Sequence, residues 1–249
     1  MKKVKELTLE EKLRLLCGHG NWHTEDFEGR LERVRMTDAS MGIRMPLNPN
    51  EWQDERPSIA YPSMQMLANT WNTEVVREYA ECVADDCLDA GADVVLGPGV
   101  NIKRDPLCGR NFEYFSEDPY LAGKLAAGFI RGLEAQGVGT SLKHFAANSQ
   151  ELDRFTSDSI LDGRTLRELY LTAFEIAVRE GSPAAVMCAY PKLNGVHCSD
   201  SKELLTDILR TEWGFDGMVV TDWGAMNDRI AGFRAGCDLN MPGGSAYME

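Results

Sequence analysis

A chain of 249 residues with a formal net charge of -13 and a pI near 4.8 repels polyanions, which excludes nucleic acid and anionic membrane as principal partners. Hydrophobic residues make up 43%, enough for one sizeable core in too little chain for two comfortable domains, so a single domain over 1–249 is expected. No window reaches the roughly 18 uninterrupted apolar residues of a membrane span, and the charges in MKKVKELTLEEKLRLL interrupt any export signal. Seven scattered cysteines with no CxxC pair then suggest reduced thiols and a cytoplasmic chain.

In chain order, Thr8 and Glu11 form a capping box that opens a helix. LCGHGNWH follows, where Cys17, His19 and His23 lack a fourth ligand at useful spacing, so a loop is expected there and no metal site. From about Val34 onward, short apolar runs alternate with segments of helical period, the pattern of βα units. The strand candidates are ERVRMTD, SMQMLAN, ADVVLGP, GTSLKHFAA, AAVMCAY, VHCSD, GMVVTDW and CDLNMP. Eight candidates is the number of a (β/α)8 barrel, so the expected fold is α/β, a TIM-like barrel. The last candidate lies too near the C-terminus for an eighth helix, so the barrel is expected to be truncated after its eighth strand.

Helices with legible ends lie between the strands. Asn72 caps a helix whose stripe is Val75, Val76, Tyr79, Val83, Cys87 and Leu88, stopped by Gly91. Pro119 and Gly137 bracket the next. After Asp162, the residues Leu166, Leu169, Tyr170, Ala173, Phe174, Ala177 and Val178 form a stripe that ends at Gly181, and another helix runs to Gly214. The long irregular stretches, Pro46 to Pro62 and Pro98 to Pro119, are candidate site loops.

In a parallel barrel, functional groups sit at the C-terminal ends of strands. Here those ends deliver Asp38, Arg104 with Asp105, Lys143 with His144, Met187 and Tyr190, Asp222 with Trp223, and Asn240. A strand-end aspartate is by itself commonly a helix cap, and Arg110 with Glu113 could be only a structural ion pair. Carboxylates, cations, an imidazole and aromatics converging on one mouth are nevertheless what a hydroxyl-rich neutral ligand needs. A sugar site is the expectation. Lys143 and His144 alternate in a regular strand, so both can reach one ligand only where the backbone turns.

The segments TDASMGIR, CGRNFEYFSEDP, KHFAANSQE with Arg154 after it, RTLRELYLTAFE, LLTDILRTEWGFDGMVVTDWGA and AGCDLNMP resemble glycoside hydrolase family 3, of the β-glucosidase type. The resemblance implies a (β/α)8-like first domain, followed in the family by an α/β sandwich that lends residues to the pocket. It makes Asp222 the nucleophile of a retaining mechanism that needs no cofactor and no metal. It assigns sugar hydroxyls to Asp38, Arg44, Arg110, Lys143, His144 and Arg154, and the pocket walls to Met187, Tyr190 and Trp223. The cations around Asp222 are expected to keep it ionised. The implied substrates are β-glucosides or xylosides with a free non-reducing end, including oligosaccharides.

This sequence departs from the family pattern at three places. Ala39 and Ser40 stand where Gly-Pro is usual, and Pro191 stands where an asparagine is usual. The acid/base of these β-glucosidases comes from the C-terminal domain, missing here, so the isolated chain is expected to be weakly active or inactive. KHFAANSQELD does not match the His-bearing loop of the N-acetylhexosaminidase branch. The competing readings are a non-catalytic sugar-binding barrel, a fragment without function of its own, and a Schiff-base aldolase using Lys143.

Overall fold

The computed structural model describes residues 2–27, 31–48 and 55–243. Part of the expected Pro46 to Pro62 site loop therefore lies outside the described residues. Eight strands occur among those described: β1 (Met36–Thr37), β2 (Val94–Val95), β3 (Gly139–Phe145), β4 (Asp158–Ser159), β5 (Ala185–Cys188), β6 (Lys192–Leu193), β7 (Val196–His197) and β8 (Met218–Thr221).

Five of them form one curled parallel sheet in the order β1-β2-β3-β5-β8. Past β8 the sheet continues through Leu239, which bridges Val220, and Asn240, which bridges Cys17. The N-terminal segment then carries the ring back to its start, because the Gly18 amide donates to the Asn240 carbonyl at 2.9 Å and the Met36 amide to the Trp22 carbonyl at 2.8 Å. The architecture is TIM-like, α/β, with the N-terminal loop spanning the gap between the last stave and the first.

Two of the eight strand candidates are not staves. SMQMLAN is a helix, Met64–Ala68, capped by the Ser63 side chain on the Met66 amide. Met64, Leu67 and Ala68 are buried while Met66 is exposed, so the spacing is i, i+3, i+4, which a five-residue run disguises as alternation. VHCSD supplies only β7, the second arm of a hairpin with β6 in a separate three-stranded sheet β4-β6-β7. Asn194 and Gly195, at φ of 51° and 88°, make the turn that sends this arm back antiparallel.

The flanking helices start where the capping residues place them. The Asn72 side chain accepts from the Glu74 and Val75 amides to open Thr73–Ala90, and Gly91 ends it at φ 73°. Its buried face is Val76, Tyr79, Ala80, Val83, Ala84 and Cys87; Val75 and Leu88 point to solvent, contrary to the expected stripe. Small residues let the next helix, Pro119–Ala135, lie against it. In the third helical segment the Leu171 amide reaches back five residues to the Leu166 carbonyl, and the extra residue turns Leu169 outward. Gly181 belongs to that helix instead of ending it, because a Cβ there would meet Ile130 Cδ1 at 2.9 Å; Ser182, at φ 57°, makes the stop. A further helix, Arg229–Ala235, is capped by Asp228 and was not anticipated. Phe145 of β3 joins sheet to helices through edge-on contacts with Phe174 at 5.2 Å and Trp213 at 5.7 Å.

The closest helix crossing carries a prediction. A Cβ at Gly132 would meet the Arg77 carbonyl oxygen at 2.6 Å and the Ala80 Cβ at 2.7 Å, whereas one at Gly163 meets nothing within 4 Å. Urea unfolding of Gly132→Ala is expected to show a loss of about 1–3 kcal/mol. Gly163→Ala, which only restricts the unfolded chain, is expected to gain roughly 0.4–1 kcal/mol.

Candidate active site

The C-terminal ends of β1, β3, β5 and β8 open into one cleft of about 840 Å³. Of the ten residues expected at the site, nine line it: Asp38, Arg44, Arg110, Lys143, Arg154, Met187, Tyr190, Asp222 and Trp223. His144 is the exception, fully buried behind the wall.

Asp222 is the residue immediately after β8, and its position is fixed from several directions. Its amide donates to the Cys188 carbonyl at 3.0 Å, and the Thr221 hydroxyl before it accepts from the Met241 amide at 2.8 Å. Oδ1 accepts from the Trp223 amide at 2.8 Å. Oδ2 accepts a long hydrogen bond from Arg110 Nη1 at 3.5 Å and lies 3.4 Å from His144 Nε2, and the Tyr190 hydroxyl also acts on the carboxylate. The side chain is only 9% exposed. Burial pushes its pKa up, Arg110 and Lys143 pull it part of the way back, and the net direction from 3.8 is upward. The cations expected to keep this carboxylate ionised near neutral pH act in that direction, against a larger opposing effect of burial.

Arg110 and Glu113 are an ion pair, as the plainer reading had it, yet they also organise the cleft. Glu113 is buried and receives Arg110 Nε, Lys143 Nζ at 2.9 Å and the Ser40 hydroxyl at 3.1 Å. Burial pushes its carboxyl up, but Lys143 and Arg110 prevail and bring the pKa down to about 2. Ser40, one of the two departures in TDASMGIR, thus puts a hydroxyl on Glu113, while Ala39 is buried in the core.

Lys143 also reaches Asp38 Oδ1 at 3.3 Å. Burial disfavours its charge, but Glu113 and Asp38 more than compensate and its pKa is raised. A Schiff-base lysine must be neutral to attack, so this environment counts against the aldolase reading. The β3–β5 ladder breaks register between Leu142 and Phe145, and there Lys143 and His144 diverge. Lys143 faces the cleft, whereas His144 packs behind it with Nδ1 3.0 Å from the Tyr114 hydroxyl. Burial, with Arg110, Lys143 and Arg154 nearby, holds the His144 pKa well below 6.5, so the ring is neutral.

The rim is built from loops. The Arg44 amide donates to the Asp38 carbonyl at 2.8 Å, and its guanidinium pairs with Glu55 at the mouth. Gly42, at φ 116°, has no room for a side chain, since a Cβ would meet the Ile59 carbonyl oxygen at 2.1 Å. Arg154 bonds Glu151 at 2.8 Å and stacks on the Tyr190 ring at 4.3 Å. Tyr190 Oη donates to the Trp223 carbonyl at 3.0 Å, and the Pro191 carbonyl accepts from the Cys198 amide at 3.2 Å. Trp223 leans on Trp22 with ring centroids 5.7 Å apart and donates its indole N–H to the Asn21 carbonyl at 2.7 Å.

Other strand-end residues go elsewhere. Arg104 contacts Gln150 and Tyr170, Asp105 caps the Leu107 amide at 2.8 Å, and Asn240 serves ring closure. In the LCGHGNWH loop, Cys17 lies 2.8 Å from Arg229, His19 pairs with Glu25 and His23 bonds the Thr24 carbonyl. Sequence reasoning missed Trp22, Ser40, Phe112 and Pro242 as lining residues and gave Glu113 no place in the site. The signal available for Glu113 was its i, i+3 spacing from Arg110.

A curled parallel α/β sheet carries the strand-end carboxylates Asp38 and Asp222 into a cation-rich cleft walled by indoles and a phenol, in a TIM-like barrel. The family model described as glycosyl hydrolase family 3 N terminal domain matches residues 33–242, and the chain belongs to that family. It is 50% identical over 243 residues to thermostable beta-glucosidase B of Acetivibrio thermocellus, covering 96% of this chain and 32% of the relative. It is 47% identical to an exo-alpha-(1->6)-L-arabinopyranosidase of Bifidobacterium longum, with the same two coverages. Among solved structures, beta-glucosidase 3B from Thermotoga neapolitana in complex with glucose superposes with a TM-score of 0.93 at 41% identity, covering 99% of this chain and 37% of that one. The chain spans about a third of the length of these curated relatives. Among the described residues, no helix is long and apolar enough to cross a membrane.

Glu113 has a measurable acid signature. Its folded pKa of about 2 lies below the ordinary 4.5, so its stabilisation is complete above about pH 4.5 and is lost as pH falls through about 2. Denaturant midpoints of the wild type are expected to drop across that window. In Glu113→Gln they are expected to be lower at pH 7 and to fall less steeply there.

Proposed function

We propose that this chain carries the nucleophile and the cleavage subsite of a retaining β-glycosidase acting on terminal non-reducing β-D-glucosyl or xylosyl residues. The observation that carries the reading is the position of Asp222: a rigidly mounted carboxylate at a strand end, facing a cleft that Asp38, Arg110, Lys143 and Arg154 supply with hydroxyl-binding groups.

In this reading Oδ1 is anchored by the Trp223 amide and Oδ2 attacks the anomeric carbon. The carboxylate forms an ester bond to that carbon as the glycosidic C–O bond breaks and its electron pair leaves with the aglycone oxygen. Water then cleaves the ester, releasing the sugar and restoring the Asp222 carboxylate. Arg110 and His144 flank Oδ2 throughout, and Trp223, Met187 and Tyr190 wall the apolar parts of the ring.

The proton for the leaving group has no donor among the described residues lining the cleft. Their carboxyl groups are Asp38, Glu113 and Asp222; Glu113 is held ionised, Asp38 is bonded to Lys143, and Asp222 is the nucleophile. We infer that the acid comes from the part of the full-length enzyme that these 249 residues do not include, in the family an α/β sandwich. Without it, leaving groups that require protonation are expected to depart on the order of 100-fold more slowly.

A 2-deoxy-2-fluoro-β-glucoside with a dinitrophenolate leaving group bypasses that requirement. Intact-mass spectrometry is expected to show one sugar adduct, mapped to the peptide containing Asp222 and lost in Asp222→Ala. A folded chain that takes no label would favour the non-catalytic sugar-binding reading.

A further inference from the structure

His144 presents a buried polar atom the mechanism has not used. The ring is fully buried and does not line the cleft, and Nε2 has no hydrogen-bond partner among the described residues. Asp222 Oδ2 lies 3.4 Å from it. Which end of a neutral imidazole carries the proton therefore decides whether the nucleophile faces an N–H or a lone pair.

The answer lies on the other side of the ring. Tyr114, also fully buried, sits with its hydroxyl 3.0 Å from Nδ1 and its ring edge-on to the imidazole. Asn148 Nδ2 lies 3.4 Å from the same hydroxyl and 3.0 Å from Glu151 Oε1, so the amide has a hydrogen for each. Complete burial holds the imidazole in place, and Asn101 clamps the backbone that carries it: Oδ1 accepts from the His144 amide at 2.8 Å and Nδ2 donates to its carbonyl at 3.0 Å.

Two proton arrangements satisfy the Tyr114 hydroxyl. If Nδ1 carried the proton, the hydroxyl would accept from it and turn its own hydrogen toward the Asn148 carbonyl at 3.4 Å. A bare Nε2 lone pair would then face the Asp222 carboxylate oxygen at 3.4 Å, two electron-rich atoms side by side, which is repulsive. If Nε2 carries the proton, Asn148 donates to Tyr114, Tyr114 donates to Nδ1, and Nε2–H points toward Asp222. The Nε2–H then faces the carboxylate oxygen at 3.4 Å, longer than a good hydrogen bond but with the attractive sign.

We propose that Tyr114 is a positioning residue that, through His144, fixes the Nε2–H tautomer and so keeps one neutral N–H facing the Asp222 nucleophile. Its catalytic meaning rests on the reading of Asp222 above; its structural content does not. Tyr114 touches neither the cleft nor the reacting atoms.

The test is a long-range proton–nitrogen correlation spectrum of the chain labelled with 15N-histidine, whose ring couplings differ between the tautomers. Only four histidines contribute signals, and His144→Gln identifies the one that matters. The expected wild-type result is a neutral ring with its proton on Nε2 from pH 5 to 8. An Nδ1–H tautomer, or an imidazolium in that range, overturns the proposal; should His144→Gln not fold, single substitutions of the other three histidines, His19, His23 and His197, assign the His144 signals by elimination. In Tyr114→Phe, checked for folding by its amide spectrum, the tautomer is expected to become mixed and the rate of Asp222 labelling to fall about tenfold. An unchanged tautomer in a folded Tyr114→Phe also overturns it. Absence of any label on the wild type, with the Nε2–H tautomer present, would instead reject the nucleophile reading and leave the hydrogen-bond chain standing.

Discussion

The cleft depends on one buried charge, the Glu113 carboxylate. It is the acceptor on which Arg110, Lys143 and Ser40 converge from three separate segments. Breaking such a pair by removing one partner leaves an uncompensated buried charge and typically costs about 3–5 kcal/mol. Once Glu113 is in place, Lys143 is held charged between it and Asp38, and Arg110 is aimed at Asp222. The cleft-facing charged groups are therefore positioned by each other and by the sheet.

Asp222 is treated differently by the same surroundings. Glu113 receives close ionic contacts and is kept firmly ionised, whereas Asp222 Oδ2 has only the longer Arg110 pair at 3.5 Å, and burial outweighs it. A carboxylate poorly compensated in the resting site gains more when it forms a bond to an electrophilic carbon than one already satisfied by salt bridges. Two carboxylates in one cleft are thus pushed in opposite directions by how closely the cations approach each, and in the proposed mechanism the less compensated one, Asp222, is the nucleophile.

Much of this was legible in the sequence. The strand-end Asp222 after GMVV, the cations at Arg110, Lys143 and Arg154, the helix capped by Asn72 and the helix with Pro119 in its first turn follow from local pattern and recognisable motifs. What was not legible depends on distance along the chain or on balance between opposed terms. Ring closure brings Leu16 and Gly18 to Asn240, a contact no local pattern signals. SMQMLAN was too short for its period to be read. His144 left the cleft because the β3 ladder shifts register at the very residues whose direction was in question. The net pKa direction at Asp222 needed the degree of burial, which a list of nearby cations does not supply.

The most direct test of this account is the pH dependence of the first-order rate at which the dinitrophenyl 2-deoxy-2-fluoroglucoside labels Asp222. The leaving group departs without a proton, so the profile reports the ionisation of the nucleophile without that of an acid. The account predicts a single acid limb, rising to a plateau, with its midpoint above the ordinary aspartate value of 3.8. A midpoint below 3.8 would mean the cations dominate burial after all, and label appearing on any residue other than Asp222 would contradict the assignment of the nucleophile.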